Sequence, residues 1–416
     1  MAADARPEPV EIVIGFPTRG GADADQEAIV REVASAFARR DPSVRWRLIV
    51  ADTGTGDSAL GRMRDTLGAG AELVEVKYAL QPSDSLNLPY HGLTGRARAL
   101  RAILEQARGT RGCVILDPRS GAPSAWLDHL VQPLIDDAAD FVAPEYCRHP
   151  FTGGLVHGLV YPMFRALYGV RLRYPVSADA ACSPRLIEAM LPDPVWQSDA
   201  GQVGIDLWMA ATAASGGFRM AQTCVGNRTE ARAGLDLSTT VSQLVGCLFL
   251  DMERRAAAWQ RIRGSRALPQ FGDTQPTPAP PDIDAATLVE SFRLGHRELQ
   301  DVWAEVLPPL AILQWRRLAT MPIDAFRVDD ALWARTVYDF AMGHRLRVIA
   351  RDHLLRSLTP LYLGWLASLV REVGPAPPEE AQARIERLCL VFEAEKPYLI
   401  SQWRWPERFR PVKLRR

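Results

Sequence analysis

Residues 112–120 read Gly-Cys-Val-Ile-Leu-Asp-Pro-Arg-Ser, a short apolar run that ends in an aspartate and a turn-forming Pro-Arg-Ser. An apolar run of this length between turn-forming residues predicts a buried strand of a parallel sheet. Ligands of open α/β sheets bind just beyond the carboxyl ends of the strands. Asp117 is therefore expected at the edge of the sheet where a nucleotide, a sugar or a metal ion would bind.

Strands alternate with helices along the first part of the chain. Apolar strands are predicted at residues 11–16, 46–50 and 73–76, and the spacing at 25–39 is that of an amphipathic helix. A helix at 124–136 and a strand at 141–143 follow the run that ends at Asp117. This alternation predicts a parallel sheet wound by right-handed crossovers.

A change of composition divides the chain. Five prolines lie between Leu268 and Pro281, which predicts a stiff linker. Beyond it, the apolar spacing is helical almost to Leu399. We therefore expect an α/β domain over residues 1–263, a Pro-rich linker over 264–281 and a helical C-terminal domain over 282–416.

Composition excludes several classes of protein. Lys and Arg together number 49, as do Asp and Glu, and this balance argues against a nucleic-acid partner. The six cysteines are scattered without a Cys-x-x-Cys pair, so a zinc site is not expected. The N-terminus has no signal-peptide pattern, and no apolar run approaches the roughly 20 residues that span a bilayer. These features predict a cytoplasmic protein with no transmembrane segment.

Two turns have the chemistry of nucleotide binding. Asp52 follows the second predicted strand within Asp-Thr-Gly-Thr-Gly-Asp, where a carboxylate can accept hydrogen bonds from a base or a ribose. Taken alone, this motif is better explained as an ordinary strand-to-helix turn. Gly95 and Arg96 precede a predicted helix, whose N-terminus suits a diphosphate; a helix cap with a surface arginine explains them equally well.

Further acidic residues lie at successive boundaries between elements: Asp179, Asp199 and Asp206. An aspartate at a helix N-terminus is usually a cap. Several of them at the boundaries of one sheet are less easily explained by capping. They are expected to converge on one pocket as base, acceptor ligand or metal ligand.

With these residues identified, the chain resembles glycosyltransferases of the GT-A fold, in particular bacterial family-2-like enzymes of the mannosylglycerate and glucosylglycerate synthase kind. Each matching segment is moderately specific for this family. The order of the segments, which extends along nearly the whole chain, is more specific for it. The matching segments are the strand that ends at Asp117 and residues 14–17, 89–92, 95–96, 99–101, 142–144, 148–149, 160–162, 166–169, 204–209, 353–358, 360–364 and 396–400.

The resemblance implies an α/β fold, with a GT-A (Rossmann-like, nucleotide-sugar-binding) mixed sheet and a C-terminal all-helical domain. It implies transfer of a hexose, glucose or mannose, from a nucleoside-diphosphate sugar to a small hydroxylated acceptor such as glycerate. The resemblance leaves open whether the nucleotide is UDP or GDP. A divalent cation, Mg²⁺ or Mn²⁺, is the implied cofactor, and a homo-oligomer through the helical domain is left open.

The resemblance, together with the chemistry of the residues themselves, predicts roles for individual residues. The nucleotide and its diphosphate would meet Pro17, Asp52, Gly95, Arg96 and Arg119. The metal would be held by Asp117 and Glu230, the catalytic carboxylates would be Asp206 and Asp199, and the acceptor would meet Arg148 and Asp179.

Two departures from the family pattern affect the metal. The family's Asp-Ala-Asp-Leu-Arg-Ser segment is here Asp117-Pro-Arg-Ser, and its late metal-binding histidine is absent near residues 226–230. One interpretation is an active enzyme in which arginines neutralise the diphosphate. The alternative is a catalytically impaired pseudo-glycosyltransferase that acts as a sugar-nucleotide-binding or interaction module. A helical scaffold acting through residues 282–416 is a third, weaker interpretation.

Overall fold

The computed structural model describes residues 10–18, 24–39, 44–53, 57–67, 72–81, 92–117, 126–152, 154–226, 236–273, 277–374 and 376–409. Its strands form one eight-stranded sheet. The strands are β1 Val10–Pro17, β2 Val44–Asp52, β3 Glu72–Lys77, β4 Gly112–Ile115, β5 Phe141–Glu145, β6 Ala180–Cys182, β7 Met220–Cys224 and β8 Gln270–Phe271.

The sheet is mixed, with the order β3-β2-β1-β4-β6-β5-β7-β8. β1 is parallel to β2 and β4, and β5 is parallel to β7. β6 runs antiparallel to its neighbours β4 and β5. The beginning of β6 therefore lies at the same edge of the sheet as the carboxyl ends of β1, β2, β4, β5 and β7. We call this the carboxyl edge.

The central strands are buried on both faces. Ile12, Val13 and Ile14 of β1 are fully buried, as is every residue of β4. Continuous apolar runs of this kind are typical of parallel strands covered by helices on both sides. The burial explains why the run that ends at Asp117 was recognisable from the sequence.

Fifteen α-helices accompany the sheet among the described residues, and none is long and apolar enough to cross a membrane. They are α1 Ala24–Ala38, α2 Asp57–Leu67, α3 Arg96–Gln106, α4 Leu127–Ile135, α5 Tyr161–Tyr168, α6 Pro184–Met190, α7 Asp199–Ser215, α8 Leu237–Arg254, α9 Ala256–Trp259, α10 Ala285–Val306, α11 Pro309–Thr320, α12 Asp330–Leu346, α13 Arg351–Ser357, α14 Thr359–Val373 and α15 Pro378–Arg404.

The chain divides into two compact units. The first comprises residues 1–147, 174–234 and 268–276, and the second comprises 148–173, 235–267 and 277–416. The sheet belongs to the first unit. In the second, the described residues from 277 onward form helices and no strand. The α/β fold class with a mixed sheet and C-terminal helices is confirmed.

In the second unit, α5 is held by buried contacts with α15. The Arg165 guanidinium pairs with Glu386 and Glu393. The Lys396 ammonium donates hydrogen bonds to the carbonyl oxygens of Ala166, at 2.6 Å, and Ile262, at 3.1 Å. The first of these bonds satisfies the Ala166 carbonyl, which lies near the end of α5, where carbonyl groups have no partner within their own helix.

A π-helical turn, Val156–Val160, leads into α5. The ring of Trp365 packs against Gly158 so closely that a Cβ there would clash with it. The indole N–H of Trp333 donates to the Gly158 carbonyl at 2.8 Å. A glycine is therefore required where two tryptophans of the second unit meet this turn.

Some boundaries differ from those expected. β6 has only three residues, Ala-Ala-Cys, which carry no periodicity that sequence reasoning can use. The helix expected from Gly204 begins at Asp199, because Ser198 caps it by accepting the Gly201 N–H. Gly204 lies at a kink inside that helix.

Lys396 supplies a test of the packing in the second unit. Burial, followed by the charge of Arg263, lowers its pKa from 10.5 to about 7. The unfolded chain binds more protons than the folded protein between these two values, so Lys396 makes stability rise as pH rises through that window.

We therefore expect the free energy of unfolding of the wild type to increase relative to that of Lys396→Met between about pH 7 and about pH 10. Methionine keeps the apolar stem and removes the titrating group. Urea unfolding of both proteins across this range measures the difference. Parallel pH profiles would contradict the burial of the ammonium.

Candidate functional site

The carboxyl ends of β1 and β2 are joined by polar contacts. The Thr18 hydroxyl donates to the Ala51 carbonyl at 3.1 Å and to Asp52 Oδ1 at 3.3 Å. The same Asp52 oxygen accepts the Thr53 N–H at 2.7 Å, and the Asp52 side chain is 4% exposed. The Tyr78 hydroxyl donates to the Thr18 carbonyl at 2.7 Å. The Asp52 carboxylate is thus fixed at the edge where a ligand of this sheet class binds.

Asp117 and Asp179 meet at the carboxyl edge where β4 ends and the neighbouring strand β6 begins. The Asp117 N–H donates to Asp179 Oδ1 at 2.8 Å, and both side chains are 1% exposed. The Tyr146 hydroxyl lies 2.8 Å from Ser177 Oγ and 3.3 Å from Asp179 Oδ2. The reversed direction of β6 is what delivers residues 177–179 to the carboxyl edge.

Arg96 and Asp206 form a buried ion pair in the same unit. Arg96 Nε lies 2.9 Å from Asp206 Oδ2, and Nη2 lies 2.8 Å from Oδ1. Nη2 also donates to the Ala178 carbonyl at 2.6 Å. Arg96 is 2% exposed and Asp206 is 9% exposed. Two parallel N–H···O bonds hold the carboxylate in one orientation.

Local structure explains how the Arg96 side chain reaches this position. Gly95 has φ +75°, a left-handed conformation, and a Cβ at this position would clash with the Leu80 side chain. Glycine adopts this conformation without penalty. The chain can therefore turn sharply into α3, with Arg96 as its first residue, and bury the arginine against α7.

The charges around Arg96 keep it protonated. Burial on its own lowers the pKa of the guanidinium. The charge and hydrogen bonds of Asp206 raise it, and the charges of Asp117 and Asp179 raise it further. Together they hold the pKa above its ordinary value. Nη1 is buried and has no hydrogen-bond partner among the described residues. Three buried aspartates therefore act on this one guanidinium.

A small cavity adjoins this cluster. Its volume is about 10 Å³, and its lining includes Ser177, Asp179 and Asp206 together with apolar residues such as Ile115 and Met209. A cavity of this size holds about one water molecule. Two carboxylates thus border a polar space next to the Arg96 pair.

The described residues do not by themselves fit a divalent cation. They contain no group of three or more histidine, cysteine, aspartate or glutamate side chains with metal-binding geometry. Both oxygens of Asp206 are engaged by Arg96, and those of Asp179 accept hydrogen bonds from Asp117 and Tyr146.

The other predicted site residues fall in different places. Arg119 and Glu230 lie outside the described residues, and the side chain of Asp199 does too, although its backbone begins α7. Pro17 is buried at the end of β1, paired with Ala51. Arg148 is 5% exposed and is the first residue of the second unit.

The partnership of Arg96 with Asp206 was not predicted, nor were the contacts of Thr18, Tyr146 and Ser177. The two charged residues are 110 positions apart, so no local pattern links them. Tyr146 lies in the polar segment 144–149 that follows the strand predicted at 141–143, and that position was the sequence feature that pointed to its role.

No family model matches the chain, and no curated protein matches it. Among solved structures, glucosyl-3-phosphoglycerate synthase from Mycobacterium tuberculosis with Mg²⁺ and UDP is similar at 20% identity, covering 59% of this chain and 79% of that one, with a TM-score of 0.41. The same enzyme with Mn²⁺, UDP and glucosyl-3-phosphoglycerate is 19% identical, covering 65% and 88%, with a TM-score of 0.41.

These neighbours are glycosyltransferases of the kind that the sequence resembles. Similarity at this level defines no substrate, metal or site residue for this chain.

The Arg96–Asp206 pair yields a stability test. Arg96→Met leaves the Asp206 carboxylate buried without its partner, and removal of one member of a buried pair costs roughly 3–5 kcal/mol. Chemical denaturation measures this loss. The matched control is Arg108→Met, since Arg108 pairs with Glu188 on the surface at 2.7 Å.

We expect the control to be nearly as stable as the wild type. The double variant Arg96→Met/Asp206→Leu should recover much of the loss, because an apolar pair of similar volume replaces the charges. An Arg96→Met protein as stable as the control would contradict the buried pair.

Proposed function

We propose that this protein is a glycosyltransferase that moves a hexose, glucose or mannose, from a nucleoside-diphosphate sugar to a small hydroxylated acceptor such as glycerate. The observation that carries the proposal is the group of buried charges at the carboxyl edge. Asp206 pairs with Arg96 in the first unit, and the charges of the buried Asp117 and Asp179 act on the same guanidinium. Burying so many charges is costly for a protein that uses them only for packing, and such groups concentrate at functional sites.

The nucleotide would occupy the ends of β1 and β2. Asp52 would accept hydrogen bonds from the ribose or the base, since its carboxylate is already oriented by Thr18 and Thr53. Pro17 and Gly95 would let the backbone approach the nucleotide closely, and Arg119 would contact the diphosphate.

Arg96 would act in two ways. Its Nε and Nη2 atoms orient the Asp206 carboxylate. The Nη1 atom, buried without an acceptor among the described residues, is a donor that an oxygen of the diphosphate or the sugar would satisfy. A fixed positive charge of this kind stabilises the negative charge that develops on the leaving diphosphate.

The acceptor would be oriented by carboxylates. Asp206 or Asp199 would accept a hydrogen bond from the attacking hydroxyl, with Asp179 beside it. The chemistry required is orientation of the hydroxyl and stabilisation of the leaving group. The family's divalent cation would be held by Asp117 and Glu230.

A second function is favoured by one observation. The family's metal-binding pattern is incomplete in this sequence, because the segment that begins at Asp117 lacks the second carboxylate and the late histidine is absent near residues 226–230. A protein that retains nucleotide binding and lacks transfer would be a pseudo-glycosyltransferase, acting as a sugar-nucleotide-binding or interaction module.

Calorimetric titration of UDP and GDP, each with and without Mn²⁺, tests the proposal. We expect one nucleotide to bind, and Asp52→Asn to weaken that binding about tenfold, or ~1.4 kcal/mol, because one charged acceptor is lost. The matched control is Asp65→Asn, an exposed aspartate on α2, which should bind like the wild type.

Release of the nucleoside diphosphate from UDP-glucose or GDP-mannose, with and without glycerate, then separates the two functions. Acceptor-dependent release supports the transferase, and binding without release supports the pseudo-enzyme. Absence of binding to both nucleotides would contradict both.

A further inference from the structure

Two cysteines meet at the carboxyl edge. Cys147 Sγ and Cys224 Sγ are 3.0 Å apart, although the residues are 77 positions apart in the chain. Cys224 is the last residue of β7, and Cys147 lies two residues beyond the end of β5. Sequence analysis found only scattered cysteines, because this proximity is created by the pairing of two strands.

The backbone explains why the thiols face each other. The ladder between β5 and β7 pairs Glu145 with Cys224 and continues beyond both strands, with the Cys147 N–H donating to the Gly226 carbonyl at 2.8 Å. Residues two apart on a strand point to the same face of the sheet. Cys147 therefore shares a face with Glu145 and lies diagonally across from Cys224.

We propose that Cys147 and Cys224 form a reversible disulfide, a covalent modification site that cross-links the ends of β5 and β7. The oxidant belongs to the class of low-molecular-weight disulfides. The thiolate of Cys147, the more exposed of the two, attacks the external disulfide and releases one thiol as a mixed disulfide forms. Cys224 then attacks the Cys147 sulfur and releases the second thiol. Two protein thiols are oxidised, and one external disulfide is reduced to two thiols.

A second cysteine pair provides an internal control. Cys113 of β4 and Cys182 of β6 are directly opposite in an antiparallel ladder, and both are fully buried. Burial raises the pKa of the Cys182 thiol to about 12 and that of Cys113 well above its ordinary value. The thiolate is the reactive form, so proximity alone does not make this pair reactive.

The disulfide would act on the segment that contains Tyr146. This residue lies between the end of β5 and Cys147, and its hydroxyl contacts Ser177 and Asp179. Cross-linking the ends of β5 and β7 restricts the backbone on which that hydroxyl is carried. Because the bond closes a long loop, it also reduces the conformational freedom of the unfolded chain.

The experiment uses the full chain in buffers of oxidised and reduced glutathione, followed by alkylation and mass spectrometry of its peptides. When the protein is unfolded in urea before alkylation, we expect the oxidised protein to have lost two alkylatable thiols, at Cys147 and Cys224, and to yield one cross-linked peptide that dithiothreitol separates. Cys113 and Cys182 should become alkylatable only after unfolding. The oxidised protein should unfold at a higher urea concentration than the reduced protein.

Two variants sharpen the result. Cys224→Ser lacks the second thiol, so Cys147 should accumulate as the mixed disulfide with glutathione. Cys147→Ser should show no change in its urea midpoint under the same oxidant. Wild-type protein that accumulates the mixed disulfide at Cys147 without a cross-link overturns the proposal, as does oxidation that cross-links Cys113 to Cys182 equally well.

Discussion

The buried pair between Arg96 and Asp206 constrains three elements at once. It joins the first residue of α3 to the middle of α7, and the bond from Arg96 to the Ala178 carbonyl adds the segment before β6. A guanidinium cannot lose its charge in a protein, so its carboxylate must remain in place. The relative positions of these elements are therefore set by electrostatics as well as by apolar packing.

The same constraint organises the polar groups around it. Asp179 accepts the Asp117 N–H just after β4 has ended. The Tyr146 hydroxyl also donates to that carboxylate, and Ser177 Oγ contacts the same hydroxyl. Buried backbone groups need hydrogen-bond partners, and here side chains provide them. An arrangement that satisfies the backbone and also concentrates charge is well suited to binding a polar ligand.

The sequence predicted features that depend on local pattern. The strand that ends at Asp117 was found because its burial leaves an uninterrupted apolar run, and the alternation around it predicted the α/β class. β6 was not found, since three small residues have no periodicity. The reversed direction of β6 places Ser177 and Asp179 at the carboxyl edge. Because the strand was not predicted, the contacts of these two residues were not predicted either. The Arg96–Asp206 and Cys147–Cys224 pairs are formed by tertiary structure. The spacing of these residues along the chain therefore did not predict either pair.

The second unit is assembled from three separate segments of the chain, 148–173, 235–267 and 277–416. During synthesis, which proceeds from the N-terminus, α5 emerges long before α15. The Arg165 side chain cannot pair with Glu386 and Glu393 until α15 has been synthesised. The Ala166 carbonyl likewise cannot accept from Lys396 before then. Contacts between such distant residues form slowly because a long loop must close first. Until α15 has been synthesised, α5 therefore lacks the charged partners that it has in the folded protein.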